Sequence, residues 1–96
     1  MLTNKQRSYL RGLGHKMQPI FQIGKNGLED NFYNQVDKAL EARELIKIKV
    51  LNNSDYTARE ASDIICEEVN CDGVQAIGNK FLIYRQSKDK QKIELP

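Results

Sequence analysis

The sequence predicts an α/β (α+β) fold, a small two-layer sandwich in which helices pack on a mixed four-stranded sheet. Apolar residues recur at helical spacing in three segments, and four short apolar or alternating segments follow or separate them. The predicted order is helix, strand, helix, strand, helix, strand, strand (αβαβαββ). Two strand–helix–strand units favour parallel pairing with right-handed crossovers, so the last hairpin must add an antiparallel strand.

The first helix is predicted to begin after Thr3, a candidate N-cap, with Gln6 placed three residues on as in a capping box. Pro19 prevents the helix from continuing, and we expect it to end near His15. A short buried strand follows, at Ile20–Ile23. We expect the helix to bury one face, formed by Tyr9, Leu10 and Leu13.

The second helix is predicted over residues 30–43, where apolar residues again recur at helical spacing. The clearest strand in the chain follows it, at Leu45–Leu51. Ile46, Ile48 and Val50 share one face of that strand. Lys47 and Lys49 share the other, so we expect one side of the sheet to be partly solvated and cationic.

The third helix is predicted from Thr57, with Glu60 completing a second capping box, to about Asn70. Asp72-Gly73 is expected to form a turn. We expect the helix to bury a stripe formed by Ala58, Ala61, Ile64, Ile65 and Val69.

The last two strands are predicted at Val74–Ile77 and Lys80–Arg85, joined by a two-residue turn at Gly78-Asn79. Phe81 and Tyr84 should lie on opposite faces, and one of them should fill the core. The polar tail from residue 86 to 96 either frames a last short strand or is loose.

Composition indicates one soluble globular domain over residues 1–96, with 40% hydrophobic and 29% charged residues. No apolar run approaches the roughly 20 residues of a membrane span, and the N-terminus lacks the apolar core of a signal peptide. We therefore expect a cytoplasmic protein that makes no membrane contact. Cys66 and Cys71 are then expected to be free thiols.

Charge is segregated along the chain, although the formal net charge is only +2. Residues 1–27 carry five cations and no acid, whereas acids outnumber cations in the remainder. Residues 85–92 are cationic again. This pattern indicates one electropositive surface if the fold brings the two ends together, and otherwise two solvated termini.

The sequence offers little for catalysis. His15 is the only histidine, so a triad would have to use it, and a lone histidine here more often caps or packs the end of the first helix. Metal-ligand spacings and nucleotide-binding fingerprints are absent. We therefore predict no enzymatic activity, no cofactor, no metal and no small-molecule substrate.

The stretch Gly24-Lys25-Asn26-Gly27 is the best candidate for binding. It matches the G-x-x-G pattern with which some RNA-binding modules clamp a nucleic-acid backbone. Glycines leave no Cβ to block a phosphate, Lys25 supplies a charge and Asn26 supplies amide hydrogen bonds. The same composition also suits a purely structural turn, and the nearby acids Glu29 and Asp30 oppose an anion site.

Several blocks of the chain carry a resemblance to a known family. In chain order, these blocks are Leu10-Arg11-Gly12-Leu13-Gly14-His15, Pro19, Ile23-Gly24-Lys25-Asn26-Gly27-Leu28, Glu44-Leu45-Ile46-Lys47-Ile48-Lys49, Val74-Gln75-Ala76-Ile77-Gly78 and Leu82-Ile83-Tyr84-Arg85. Over roughly residues 2–95 the chain resembles the bacterial single-domain CRM proteins, the YhbY-like RNA-binding family. Two departures are Gly14, where the family more often has Ala, and Glu29, where Thr or Ser commonly caps the helix.

The resemblance implies a fold similar to the C-terminal domain of translation initiation factor three, with an extra N-terminal helix. The sheet order would be 1-2-4-3 with strand 4 antiparallel. It implies binding to ribosomal RNA in precursor large subunits during ribosome assembly, without catalysis or cofactor, and its plant-organelle members act in intron splicing. The implied RNA contacts are the loop Gly24, Lys25, Asn26 and Gly27, its flanking residues Arg11, His15 and Lys16, and, more weakly, Arg85 and Lys88.

Two further hypotheses remain open. The chain is alternatively a protein-interaction module that docks on a ribosomal protein or an assembly GTPase, or a small enzyme that uses His15. We expect a monomer in each case.

Overall fold

The computed structural model of the protein describes all 96 residues. The predicted order of elements is confirmed. The helices are α1 (Asn4–Gly14), α2 (Asp30–Arg43) and α3 (Ala58–Val69), and the strands are β1 (Phe21–Ile23), β2 (Leu45–Val50), β3 (Asp72–Ile77) and β4 (Lys80–Tyr84).

The four strands form one mixed sheet in the order β1-β2-β4-β3, as the resemblance implied. β1 pairs parallel with β2, and β4 pairs antiparallel with both β2 and β3. The hairpin between β3 and β4 turns at Gly78-Asn79, where Gly78 has a φ of +60°. A glycine at the first central position is what this kind of tight hairpin requires.

Both predicted capping boxes are present. The Thr3 hydroxyl accepts from the Gln6 N–H at 3.0 Å, and the Gln6 side chain accepts from the Thr3 N–H at 3.1 Å. Thr57 and Glu60 exchange the equivalent bonds at 3.1 and 2.9 Å. These bonds satisfy N–H groups that have no partner within a helix, and they set where α1 and α3 begin.

The larger core lies between the sheet and the pair α2 and α3, which together form the predicted two-layer sandwich. Both the helices and the strands contribute apolar side chains to this core, and these side chains are almost fully buried. Its fully buried large side chains include Ile23, Val36, Leu40, Ile46, Ile48, Ile65, Phe81 and Ile83.

Helix α1 lies on the opposite face of the sheet and adds a partial third layer. Its Leu10 packs with Leu45, Val74 and Leu82 in a second, smaller core. The predicted apolar face of α1 is wrong, because Tyr9 and Leu13 are 43% and 42% exposed. Only Leu10 and Gly14 of the helix are buried, so α1 touches the sheet along a single narrow row.

Gly14 determines how closely α1 approaches the sheet. A Cβ at this position would overlap the side chain of Leu82 on β4. Glycine weakens a helix, but at this position it lets the backbone of α1 approach β4 closely.

Two other expectations need correction. Asp72-Gly73 is the start of β3 rather than a turn, and Val74 is the extra residue of an irregularity between Gly73 and Gln75. Phe81 and Tyr84 do lie on opposite faces, but both are buried, one in each core. Burial of both aromatic rings leaves neither of them available to stack on a ligand.

The tail is neither a strand nor loose, because two carboxylates hold it, that of Glu41 in the last turn of α2 and that of Glu44, the C-cap residue. Glu44, fully buried, accepts hydrogen bonds from the N–H groups of Ser87, Lys92 and Ile93 at 2.6–2.7 Å. Glu41 accepts from the Ser87 hydroxyl at 2.6 Å. Burial alone would raise the pKa of Glu44, but the three N–H groups together lower it below its ordinary value of 4.5.

A Glu44→Gln variant tests the tail attachment. The neutral amide has only one oxygen that can accept from these N–H groups. Its NH2 group is a donor and cannot accept from them. We expect it to lower the free energy of unfolding by about 1–3 kcal/mol at neutral pH. Because the folded-state pKa of Glu44 is lowered, its contribution is present above the ordinary value of 4.5 and is lost as the pH falls below it.

The difference between Glu44→Gln and wild type, measured by urea unfolding, should therefore shrink at acid pH. Glu67→Gln, an exposed change on α3, is the matched control and should match wild type at both pH values. A difference that stays constant with pH would show that the carboxylate charge does not hold the tail.

Candidate nucleic-acid interface

The glycine loop is a tight turn that presents two polar side chains to solvent. The Gly27 N–H donates to the Gly24 carbonyl at 3.1 Å, which closes the turn. Lys25 and Asn26 at its tip are exposed. Helix α2 begins only at Asp30, so the turn is separate from the helix N-terminus.

The two glycines have different structural roles. Gly27 has a φ of +72°, a left-handed conformation that side-chain-bearing residues rarely adopt. Gly24 has no such φ, and a Cβ there would meet Leu51 and Asn53 at 3.6 and 3.7 Å, which is ordinary contact. The fold therefore requires glycine at 27 but not at 24.

The open half of the sheet lies beside this loop, on the face opposite α2 and α3. Gln22, Lys49 and Lys80 are paired in one row across β1, β2 and β4. Lys47 lies two residues back along β2, on the same face. The loop follows Ile23, which pairs with Val50, so these lysines and the loop lie at the same end of the sheet.

The C-terminal end of α1 borders the open half. His15 and Gly14 line a cleft together with Lys47 and Lys80, among other residues. Lys16 and Arg11 are exposed near this end of the helix. The structure thus places His15 beside the strand lysines, with Lys16 and Arg11 close to it in the chain.

Acidic residues are concentrated on the other side of the molecule. Most of them lie on or cap α2 and α3, and Asp30, Asp37 and Glu68 line a shallow depression between those helices. β1, β2 and β4 contain no acid. Glu29, the N-cap residue of α2, makes no side-chain capping bond and is exposed beside the loop.

Arg85 and Lys88 do not join the other predicted contacts. They follow β4, whose last residue Tyr84 pairs with Leu45, at the end of the sheet away from the loop. The Arg85 guanidinium donates to the Asp37 carboxylate at 2.7 Å and to the Val69 carbonyl at 2.9 Å. It is thus committed to joining α2, α3 and β4, whereas Lys88 is exposed on the tail.

The two thiols lie away from this surface, at the end of α3 and the start of β3. The Cys71 S–H donates to the Cys66 sulfur at 3.3 Å, and both thiols are free. This hydrogen bond lowers the pKa of Cys66 and, together with burial, raises the pKa of Cys71. No cluster of His, Cys, Asp or Glu side chains could hold a metal ion.

Sequence reasoning missed Lys80, Asn79, Ile77 and Gln75 as members of this surface. Lys80 shares its face of β4 with Leu82 and Tyr84, so the face on which it lies was available from the sequence. Its position beside Lys49 depends on the β2–β4 register, which no local pattern specifies.

The fold and this surface define a small α+β domain with one cationic, partly open sheet face. Comparison with known proteins identifies the family to which this domain belongs. The CRS1 / YhbY (CRM) domain family matches residues 2–85. The chain therefore belongs to the CRS1/YhbY (CRM) domain family.

Two bacterial relatives align over all or nearly all of the chain. It is 44% identical over 96 residues to the Bacillus subtilis protein named "Probable RNA-binding protein YqeI", with 100% of both chains covered. It is 36% identical over 95 residues to a Haemophilus influenzae RNA-binding protein, covering 99% of this chain and 95% of that one.

A solved structure has the same fold. The solution structure of a hypothetical protein from Staphylococcus aureus is 48% identical and superposes with a TM-score of 0.82, with 100% of both chains covered. No helix in the present structure has the length and apolarity needed to cross a membrane.

The different roles of the two glycines are tested by alanine substitution. Gly27→Ala should lower the free energy of unfolding by about 1–2 kcal/mol, because it forces a Cβ into the left-handed region. Gly24→Ala should change it by less than about 1 kcal/mol, since no backbone strain arises. Urea unfolding of both variants measures the two free energies of unfolding. Equal decreases for Gly27→Ala and Gly24→Ala would contradict the geometry of the turn.

Proposed function

We propose that the protein binds structured RNA through the glycine loop and the open half of the sheet, without performing chemistry on it. The observation that carries this proposal is the joint placement of the loop, the strand lysines and the end of α1 on one acid-poor face. The proposed RNA contacts are Arg11, His15, Lys16, Gly24, Lys25, Asn26, Gly27, Lys47, Lys49 and Lys80.

The chemistry of the face suits a phosphate backbone. Lysines are flexible point charges that follow a polyanion, and none of the lysines proposed as contacts has a carboxylate partner within the protein. The half-exposed Gly24 lets a phosphate oxygen approach the backbone closely. The acids on the far side would orient the domain as it approaches the RNA.

We further propose that the RNA is ribosomal RNA of precursor large subunits and that the protein acts in the cytoplasm as a ribosome assembly factor. The resemblance to the YhbY-like family implies this target, and the relatives named as RNA-binding proteins support RNA as the ligand. A surface of phosphate contacts positions a domain on RNA, whereas the choice of RNA needs further contacts.

Charge reversal in the loop tests the contact surface. Lys25→Asp with Asn26→Asp should weaken binding to large-subunit ribosomal RNA about tenfold or more at low salt, because phosphate contacts release counterions. With four to six such contacts, the wild-type slope of log affinity against log salt should be about −3 to −5, and it should be shallower in the variant. Filter binding over a salt series measures both quantities.

Lys88→Asp with Gln86→Asp is the matched control, since it changes the net charge equally at the opposite end of the sheet. It should weaken binding much less than the loop variant does. Equal losses for both pairs would mean that only net charge matters, and an unaffected loop variant would make the loop a structural turn.

The protein-docking alternative is tested on ribosomal particles. We expect association with precursor large subunits in a sucrose gradient to disappear after RNA digestion and at high salt, because the contacts are to phosphates. Association that survives both treatments would identify a protein partner instead.

A further inference from the structure

The cleft beneath the end of α1 combines cationic side chains with an exposed apolar one. It encloses about 290 Å³ between His15 and the open sheet face. Its wall includes Ile77, which is 65% exposed and is the most exposed large apolar side chain apart from Met1. An apolar side chain amid lysines and amides offers a surface for a flat, partly apolar group.

Several polar side chains around the cleft have no hydrogen-bond or salt-bridge partner within the protein. Gln75 and Asn79 each present a side-chain amide that makes no hydrogen bond within the protein, although the Asn79 carbonyl holds Val50. Lys47 and Lys80 line the same cleft and have no salt-bridge partner. Amides pair with the edges of nucleobases, lysines bind phosphate, and imidazole can stack on a base.

We infer that this cleft binds one unpaired nucleotide of the RNA, with its base between His15 and Ile77 and its phosphate on Lys47 and Lys80. The inference rests on the proposed RNA binding and adds a selective element to it. The volume is just below the range of about 300–1,000 Å³ typical of small-molecule pockets, which suits one base rather than a stacked run.

The same geometry explains which RNA would be preferred. In a paired A-form helix the bases are stacked inside, and their major-groove edges are too deep for side chains to reach. A bulged or looped nucleotide can leave the stack at low cost and enter the cleft. Phosphates of the adjoining helix would then lie over Lys49 and the glycine loop, which is at the same end of the sheet.

A pair of RNA probes tests this directly. One is a short, fully paired RNA duplex, and the other is the same duplex with one unpaired adenosine at its centre. The wild-type protein should bind the bulged RNA about tenfold more tightly, the scale that base stacking on a protein provides. Equal affinity for the two probes would overturn the inference while leaving the proposed function intact.

Two variants separate the cleft from the loop. Ile77→Ser with Asn79→Ser should bring the ratio of the two affinities close to one, and serine suits the second turn position after Gly78. Lys25→Asp with Asn26→Asp should weaken both probes and leave the ratio unchanged. Leu13→Ser, which removes an exposed leucine outside the cleft, is the matched control and should keep the wild-type ratio.

A ratio that survives Ile77→Ser with Asn79→Ser would overturn the inference, and failure to bind either probe would overturn the proposed function with it. Amide NMR spectra of the wild-type protein give a second measurement that does not depend on variant folding. Signals of Gln75 and Ile77, which belong to the cleft alone, should shift with the bulged probe and not with the duplex. Identical shifts for the two probes would contradict the assignment of the cleft.

Discussion

The contact between Gly14 of α1 and Leu82 of β4 determines how much of the sheet is open. Leu10 and Gly14 lie one turn apart, so α1 attaches along one row and covers only the half of the face around Leu45 and Tyr84. The row of Gln22, Lys49 and Lys80 stays uncovered for the same reason. A helix that buried a wider stripe would have closed the cleft that His15 now borders.

The two faces of the sheet are used for different purposes. One face carries the larger apolar core with α2 and α3, and burial of these side chains makes the larger contribution to stability. The other is apolar near Leu45 and cationic near Lys49. Because side chains alternate along each strand, one sheet can hold a dense core and a solvated binding face without added elements.

Local patterns were sufficient for most of the architecture. The two capping boxes, the apolar alternation of β2 and the Gly78-Asn79 turn each specify an element through short-range contacts, and the structure has all of them. The buried face of α1 was wrong because helical spacing alone cannot tell how wide a surface the helix will meet. The start of β3 was also misplaced, because Asp72-Gly73 resembles a turn unless the pairing with β4 is known.

The candidate site was only partly accessible from sequence. The loop and the cations of the first segment were predicted as one cluster, since they are close in sequence. Arg85 resembled them in charge, but its guanidinium is bonded to Asp37 and Val69, a tertiary arrangement that no local pattern indicates. The cleft depends on the registers of three strands and on the position of α1, so its members are scattered along the chain.

The buried carboxylate of Glu44 bears on where this domain ends as a transferable unit. The family match stops at residue 85, yet Glu44 has its hydrogen-bond donors at Ser87, Lys92 and Ile93. A larger protein that incorporates the domain keeps this carboxylate paired with backbone N–H groups only where it retains an equivalent of this tail. The segment that keeps the charge of Glu44 hydrogen-bonded therefore extends beyond the last strand, to Ile93.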